Sequence, residues 1–236
     1  MTSTAEIRLT HLLACIAMLA LGLQADIHVD LPGQLAIGAV VWGIFLALIA
    51  PLPAGERRLY LACVAIATAG ELFLSLVWGL YTYRLGNVPM FVPPGHAMML
   101  MLGLSLARRM PESAARAILG GAGVYALLAA ATGLDTLAVP LYLLLAVSVL
   151  SLRAHSRLFA SSFVLTLTLE LYGTTLGNWA WDREVPWIGL VTTNPPVIAG
   201  AFYCTLHALA MALQPRVAAR GFSSRSAWLW ASRRPS

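Results

Sequence analysis

Apolar segments about as long as a lipid bilayer is thick recur along this chain. A membrane-spanning helix needs about 20 mostly apolar residues. Leu and Ala dominate the segments without polar alternation, which favours a helical bundle over an outer-membrane barrel. The sequence therefore predicts an all-α, polytopic membrane protein with about eight transmembrane helices, the first two from short segments. The segments cover roughly 9 to 23, 35 to 50, 59 to 80, 90 to 107, 114 to 133, 136 to 152, 157 to 176 and 195 to 213.

The composition excludes a soluble globular protein. Hydrophobic residues make up 59% and charged residues 11% of the 236 residues, and the mean hydropathy is +0.79. That leaves too little polar surface to cover a globule of this size. Cys15, Cys63 and Cys204 lack the paired spacing of a disulfide or metal site, and no HxxH or HxxxH pair occurs. We therefore expect no metal and no cofactor.

The distribution of charge predicts the orientation in the membrane. Every basic residue is arginine, and the net charge is +5. Arg84 and Arg183 share one set of connections with Asp26, Asp135 and Asp182. By the positive-inside rule, both termini lie in the cytoplasm, as in a multi-pass protein of the inner (plasma) membrane, and the charge gives no reason to expect nucleic-acid binding. The other arginines lie at the N-terminus, in the alternate connections or in the tail: Arg8, Arg57, Arg58, Arg108, Arg109, Arg116, Arg153, Arg157, Arg216, Arg220, Arg225, Arg233 and Arg234.

An alternative concerns the first segment. Arg8, the apolar run from His11 to Leu23 and the cleavage-like Leu23-Gln24-Ala25 together resemble a signal peptide. Cleavage there would leave seven spans, with the later helices oriented as before.

Two glutamates lie inside apolar runs at equal depth. Glu71 and Glu170 each follow the first residue of their run, Leu59 or Leu158, by 12 residues (71 − 59 and 170 − 158). Twelve residues of helix place each carboxyl roughly 18 Å from the cytoplasmic boundary, just beyond the midplane. A single buried Glu is often neutral and hydrogen-bonded across helices. A pair at one depth favours a functional site, because a carboxylate in hydrocarbon is costly.

The surroundings of the two glutamates follow the same order. This order predicts two four-helix repeats, 1–112 and 113–214, in one integral membrane domain, followed by a basic cytoplasmic tail at 215–236. The spacing of the motifs differs between the copies. The first copy runs through Glu71, Leu85-Gly86-Asn87, Val88-Pro89, Pro93-Pro94 and His96-Ala97, and the second through Glu170, Leu176-Gly177-Asn178, Val185-Pro186, Pro195-Pro196 and His207-Ala208.

Aromatic and polar residues are concentrated in the connections that follow the two glutamates. An aromatic belt at the membrane interface is one interpretation. The other is a site for carbocation chemistry, because aromatic faces stabilise positive charge without acting as nucleophiles. We take Glu71, Glu170 and Asp182 as candidate catalytic residues. The candidate substrate-binding residues are Trp78, Tyr81, Asn87, His96, Asn178, Trp179, Trp181, Asn194 and His207.

These motifs resemble those of the polytopic carotenoid hydratase family. The resemblance implies hydration of an isoprenoid double bond, in which one carboxylic acid protonates the alkene and a neighbouring base directs water onto the cation. The family pattern leads us to expect Asp at the second acidic position, where this chain has Glu170. The resemblance rests on Glu71 with Gly79-Leu80-Tyr81-Thr82-Tyr83, Val88-Pro89 and Val92-Pro93, and on Trp179-Ala180-Trp181 with Val185-Pro186-Trp187-Ile188-Gly189-Leu190 and Asn194.

The residues alone lead to the same class of reaction with less detail. A protonated Glu is a general acid, and a second acidic group nearby separates the acid and base roles. Hydration, cyclisation and double-bond isomerisation of a membrane lipid or other lipophilic molecule all begin with this proton, and the residues do not choose among them. The competing class is a small proton-coupled transporter, and a purely structural subunit is a third; the oligomeric state stays open.

Overall fold

The computed structural model describes residues 4–213, and within them the protein is mostly helical. The predicted basic tail, 215–236, lies outside the described residues. Eight α-helices occur in the described part, and each overlaps one of the predicted apolar segments. They are α1 (Thr4–Asp26), α2 (Leu31–Ile49), α3 (Ala54–Glu71), α4 (Val92–Ala107), α5 (Glu112–Ala131), α6 (Ala138–Ser151), α7 (Ser156–Leu176) and α8 (Gly200–Ala212).

Four of these helices are long and apolar enough to cross a membrane: α1, α2, α5, and α3 with its continuation to Val77. A fifth span results if α6 and the segment Arg153–Leu176 are taken together, although they meet at an angle of 106°. Helices α4 and α8 are apolar but shorter. The described helices are therefore compatible with a membrane protein.

Local sequence explains several helix boundaries. The Asp30 carboxylate accepts a hydrogen bond from Gly33 N at 3.1 Å, and Pro32 fits the first turn of α2. Helix α7 ends at Leu176 and is followed by Gly177, whose φ of 83° suits glycine. After Glu71 the turns of α3 widen into a π-helix, Leu72–Val77, a form that is often found at functional sites.

Four short strands, which the sequence does not predict, form two antiparallel pairs in the connections between helices. Strand β1 (Tyr81–Tyr83) pairs antiparallel with β2 (Trp179–Trp181), so that Tyr81 faces Trp181 and Tyr83 faces Trp179. The middle residues, Thr82 and Ala180, are exposed, and the four aromatic residues are buried. Strands β3 (Glu184–Val185) and β4 (Leu190–Val191) form a second pair. The pairing of β1 with β2 therefore brings the two glutamate-containing segments together.

Helices α3, α4, α7 and α8 form a ring in which each helix contacts the next. Helices α1 and α2 pack against α4, whereas α5 packs against α7 and α6 against α8. Close approach depends on small residues: a Cβ at Gly103 would meet Ser162, and one at Gly200 would meet Phe163. Both glutamates lie on helices of this ring, Glu71 on α3 and Glu170 on α7.

Arginines link connections that the sequence predicts to lie on the same side. At the end of the molecule that carries the strands (the strand end), Arg84 donates to the carbonyl oxygens of Asp26 and Val29, and Arg183 Nη1 donates to Leu134 O at 2.6 Å. Arg157, at the start of α7, pairs with Glu112, at the start of α5, at 3.4 Å.

Candidate functional site

Glu71 lies at the end of α3 and accepts hydrogen bonds from three side chains. The hydroxyl groups of Tyr81 and Tyr83 donate to Oε2 at 2.8 and 2.7 Å. His96 Nε2, in the first turns of α4, lies 2.8 Å from Oε1. The alternation of side chains along β1 places both tyrosines on the same face, toward the glutamate. Both oxygens of the Glu71 carboxyl group are therefore occupied.

Glu170 has a related arrangement with different donors. Trp179 and Trp181 donate their indole N–H groups to Oε2 at 2.8 and 2.9 Å. Both indoles come from β2, which follows α7 closely in the chain. In both cases a helix thus carries a glutamate, and the next strand along the chain directs two aromatic donors toward it.

The strand pair joins the two glutamates through ring contacts. The Tyr81 and Trp181 rings lie 4.6 Å apart, and the Tyr83 and Trp179 rings lie 6.1 Å apart. Each contact joins a donor to Glu71 with a donor to Glu170, so displacement of one strand would disturb both carboxyl groups.

Both glutamates line one cavity of about 220 Å³. His96, Tyr203 and the four aromatic residues of the strand pair also line it, and the Tyr203 ring lies tilted against the His96 ring, with centroids 4.4 Å apart. The other lining residues are apolar except Thr205, and they come from α1, α2, α3 with its π-helical continuation, α4, α7, α8 and the residues just before α4 and α8. The cavity thus combines a polar, aromatic end with an apolar body.

The two carboxyl groups differ in what remains available to a ligand. In the described part of the chain, no side chain donates to Oε1 of Glu170, whereas Oε1 of Glu71 is engaged by His96. A tryptophan N–H is a donor only, whereas a tyrosine hydroxyl also accepts and a histidine can exchange a proton. Glu170 therefore has a free oxygen beside the cavity, and Glu71 belongs to a network that can move protons.

His207 lies behind this site and does not line the cavity. It is fully buried on α8, and its Nδ1 lies 3.0 Å from Ser162 Oγ on α7. Its ring is 6.3 Å from that of Tyr203. Its contacts are those of a residue that supports Tyr203, and not those of a residue that touches substrate.

Asn87 and Asn178 belong to a polar cluster at the strand end and do not line the cavity. Asn178 Nδ2 donates to Asp26 Oδ2 at 2.9 Å, and Asn87 Nδ2 donates to Gln34 Oε1 at 2.9 Å. Gln34 Nε2 donates to Asp26 Oδ1 at 2.7 Å, and Arg84 Nε lies 3.6 Å from Oδ2. This cluster ties the connection between α1 and α2 to the strand pair.

The remaining three candidates also lie away from the cavity. Trp78 stacks on Trp187 at 5.8 Å and donates to Pro186 O at 2.8 Å. Asn194 Oδ1 accepts a hydrogen bond from Trp181 N at 3.1 Å, so this residue supports β2. Asp182 is exposed just after β2, where solvation explains its charge without a role in chemistry.

Two residues of the site were missing from the predicted set. Tyr83 was overlooked although it is two residues from Tyr81, and this spacing is the signal for one face of a strand. Tyr203 lies in an apolar helix with no local motif, and its place beside His96 depends on the packing of α8. Within the described residues, no group of three or more His, Cys, Asp or Glu side chains is placed to hold a metal ion.

Comparison with known proteins gives no relative from which a role could be transferred. No protein-family model matches the chain, and neither a curated protein nor a solved structure does.

Proposed function

We propose that the protein is a membrane-embedded enzyme that protonates a double bond of a lipophilic, isoprenoid- or carotenoid-like molecule. One observation carries the proposal: Glu71 and Glu170 line the same cavity, and most of its remaining surface is apolar or aromatic. A wholly structural role would not require both carboxyl groups to line one cavity. Here aromatic donors hold each one at a cavity large enough for part of a ligand.

Glu170 is the proton donor in this proposal. Its free Oε1 transfers a proton to an alkene carbon, which leaves a carbocation on the neighbouring carbon and a carboxylate on Glu170. The two indole N–H groups on Oε2 then stabilise the new negative charge. Because these donors come from a strand, their positions are fixed before the charge forms.

Glu71 and His96 form the base. In hydration, a water molecule adds to the cation and loses a proton to this pair; in isomerisation or cyclisation, a neighbouring carbon loses the proton. Return of that proton to Glu170 completes the cycle, and the hydroxyl groups of Tyr81 and Tyr83 lie on Glu71 where they can assist. No redox cofactor enters any of these reactions.

Aromatic side chains protect the cation. The rings of Tyr81, Trp179, Trp181 and Tyr203 line the cavity beside the carboxyl groups. Their faces attract positive charge and present no lone pair that would trap it irreversibly, apart from the hydrogen-bonded hydroxyl groups.

The proposal includes a plasma-membrane protein with eight spans in two four-helix repeats, both termini in the cytoplasm and a lipid or other lipophilic small molecule as the partner. Two contacts support this arrangement, because each joins connections of one predicted set: Arg183 with Leu134 O, and Arg157 with Glu112. The equivalent helix-to-strand units around Glu71 and Glu170 support the repeat.

Growth in heavy water tests the chemistry. Lipid extracts of cells with and without the gene are compared by mass spectrometry, and the product that depends on the gene should carry one solvent-derived deuterium on carbon. Trp181→Ala should lower turnover without changing substrate uptake, because loss of a cation-stabilising face raises the barrier more than it weakens binding of a long apolar molecule.

A proton-coupled transporter is the second candidate. The observation that favours it is the repeat-like pairing of two helix-to-strand units, each with a buried acid, at one site. A transporter would leave the lipid chemically unchanged and without carbon-bound deuterium. Accumulation of such unaltered lipid on one side of the membrane would overturn the enzyme proposal.

A further inference from the structure

Two positions on the cavity wall have room for a side chain that the sequence does not supply. Gly22 on α1 and Gly70 on α3 both line the cavity, and a Cβ built at either position meets nothing within 4 Å. By contrast, a Cβ at Gly95, on the same cavity, would lie 3.6 Å from Leu19. At Gly22 and Gly70, the missing side chains therefore add to the width of the cavity.

Neither glycine is needed for the shape of the backbone. Both lie inside α-helices, where glycine is less stable than alanine. Neither glycine is needed for the close approach of a neighbouring helix, because no neighbouring atom lies within 4 Å of a Cβ built at either position. This differs from Gly103 and Gly200, where a Cβ would overlap the adjacent helix. Packing thus gives no reason for glycine at positions 22 and 70, and both positions open onto the cavity, where a side chain would take up space that a ligand can use.

The neighbours of the two glycines indicate the chemistry of that ligand. Gly70 directly precedes Glu71, and Ile66, one turn earlier on α3, also lines the cavity. Gly22 is flanked on the cavity wall by Met18, Leu19 and Leu23. The wall at both glycines is therefore apolar and half-buried, next to a carboxyl group, which suits a hydrocarbon chain lying against two helices.

We infer that Gly22 and Gly70 are specificity-determining residues, which leave the room for a methyl-branched polyene chain to lie against α1 and α3. The inference rests on the proposed lipophilic ligand and not on its protonation. A leucine at either position fills the space beside the chain. The branched chain is excluded first, because its methyl groups make it wider than an unbranched chain of similar length.

Binding of two fluorescent polyenes to the purified full-length protein tests this. The probes are retinyl acetate, which is methyl-branched, and trans-parinaric acid methyl ester, which is unbranched. Energy transfer from the protein's tryptophans reports occupancy, since Trp179 and Trp181 line the cavity. Gly22→Leu and Gly70→Leu should each weaken retinyl acetate binding about tenfold, the effect expected for overpacking, and Gly70→Ala should weaken it less.

Gly43→Leu is the matched control. Gly43 lies on the exposed side of α2, a Cβ there also meets nothing within 4 Å, and it does not line the cavity. The Gly43→Leu variant should bind both probes as the unmodified protein does. Thermal unfolding of all variants should confirm that they fold. Equal retinyl acetate binding by Gly70→Leu, Gly22→Leu and Gly43→Leu would overturn the inference.

The binding test is independent of the chemistry. If Gly22→Leu and Gly70→Leu lose the branched probe but no deuterium enters the product, the inference stands and the proposed reaction fails. If deuterium enters but the glycine variants bind normally, the reaction stands and the inference fails.

Discussion

At the scale of single residues, the site consists of two carboxyl groups in different surroundings. Glu71 contacts one histidine and two tyrosines, which can exchange protons, and Glu170 contacts two tryptophans, which can only donate hydrogen bonds. The difference follows from which aromatic residue occupies each strand position. It gives two otherwise similar glutamates separate roles in acid–base chemistry.

Substitution of either glutamate tests these roles. Glu71→Gln and Glu170→Gln keep shape and most hydrogen bonds but cannot exchange a proton, so each should lower activity by about 10²–10⁴-fold. Both variants should remain folded and extractable in mild detergent, and product formation in membranes is the measurement. Asp182→Asn is the control, because this exposed residue lies away from the cavity and should leave activity near that of the unmodified protein. Full activity of either glutamate variant would reduce that residue to a packing role.

The sequence identified the glutamates because a charged residue stands out in an apolar run, whatever the fold. It identified Tyr81, Trp179 and Trp181 from composition, but not their partners. The partners depend on the register of two strands about a hundred residues apart, and a three-residue strand leaves no periodicity to detect. The sequence places Asn87 and Asn178 among the candidate substrate-binding residues, because sequence alone does not distinguish a polar cluster formed by distant elements from a binding site.

At the scale of elements, the strand pair decides the geometry of the site. Gly173 on α7 faces Trp179 so closely that a Cβ would overlap the indole ring. The ring holds Glu170 by its N–H group, so a methyl group at position 173 displaces both the ring and its hydrogen bond. A single small residue on α7 thus sets the distance between the helix and β2.

Gly173→Ala should therefore destabilise the protein by about 1–3 kcal/mol, the usual cost of overpacking, and lower activity. Gly120→Ala on the exposed face of α5 is the matched control, because a Cβ there meets nothing within 4 Å. It should be neutral or stabilising by up to about 1 kcal/mol, since alanine favours helix. Thermal unfolding in detergent and product formation are the two measurements. Equal behaviour of the two variants would contradict the described contact.

A disulfide tests the register of the strand pair directly. Thr82 and Ala180 are opposite one another and exposed, and directly opposed strand residues have Cα atoms about 4.5–5.5 Å apart, within the range of a disulfide. Thr82→Cys with Ala180→Cys should cross-link under mild oxidation, as measured by mass spectrometry of peptides. Cysteines at 82 and 182 are the control, because the diagonal separation of roughly 7–8 Å is too long. Cross-linking of the control pair alone would show a shifted register.

At the scale of the whole molecule, sequence and structure agree on the helices and differ on what joins them. Apolar runs located all eight described helices because the bilayer requires continuous apolar segments, whatever their tertiary contacts. The continuation of α3 as a π-helix, the strands and the sharp turn before α7 were not predicted. They depend on how backbone groups near Glu71 and Glu170 find partners once the helices have packed.

The sharp turn bears on the number of spans, and the two possibilities put Asp182 on opposite sides of the membrane relative to Asp135. Taken as one bent span, α6 and α7 would place Arg153 inside the membrane; taken as two, they would place it in the cytoplasm. The second arrangement is favoured because Arg183, after α7, donates to Leu134 O, before α6, so both helices have an end at the same side. A chain that leaves from and returns to one side forms a hairpin.

Reporter fusions after Arg109 and after Arg153 should therefore read cytoplasmic, and fusions near Asp135 and Asp182 external. The arginine distribution gives the sign, since positive residues remain on the cytoplasmic side. Helix α6 has 14 residues, about 21 Å of helix against a hydrocarbon core of roughly 30 Å, so it crosses only with its flanking turns or where the bilayer is thinner. The fusion near Asp182 is thus the decisive one. A cytoplasmic signal there, with an external signal near Asp135, would replace the eight-span arrangement by one in which α6 and α7 form a single bent span.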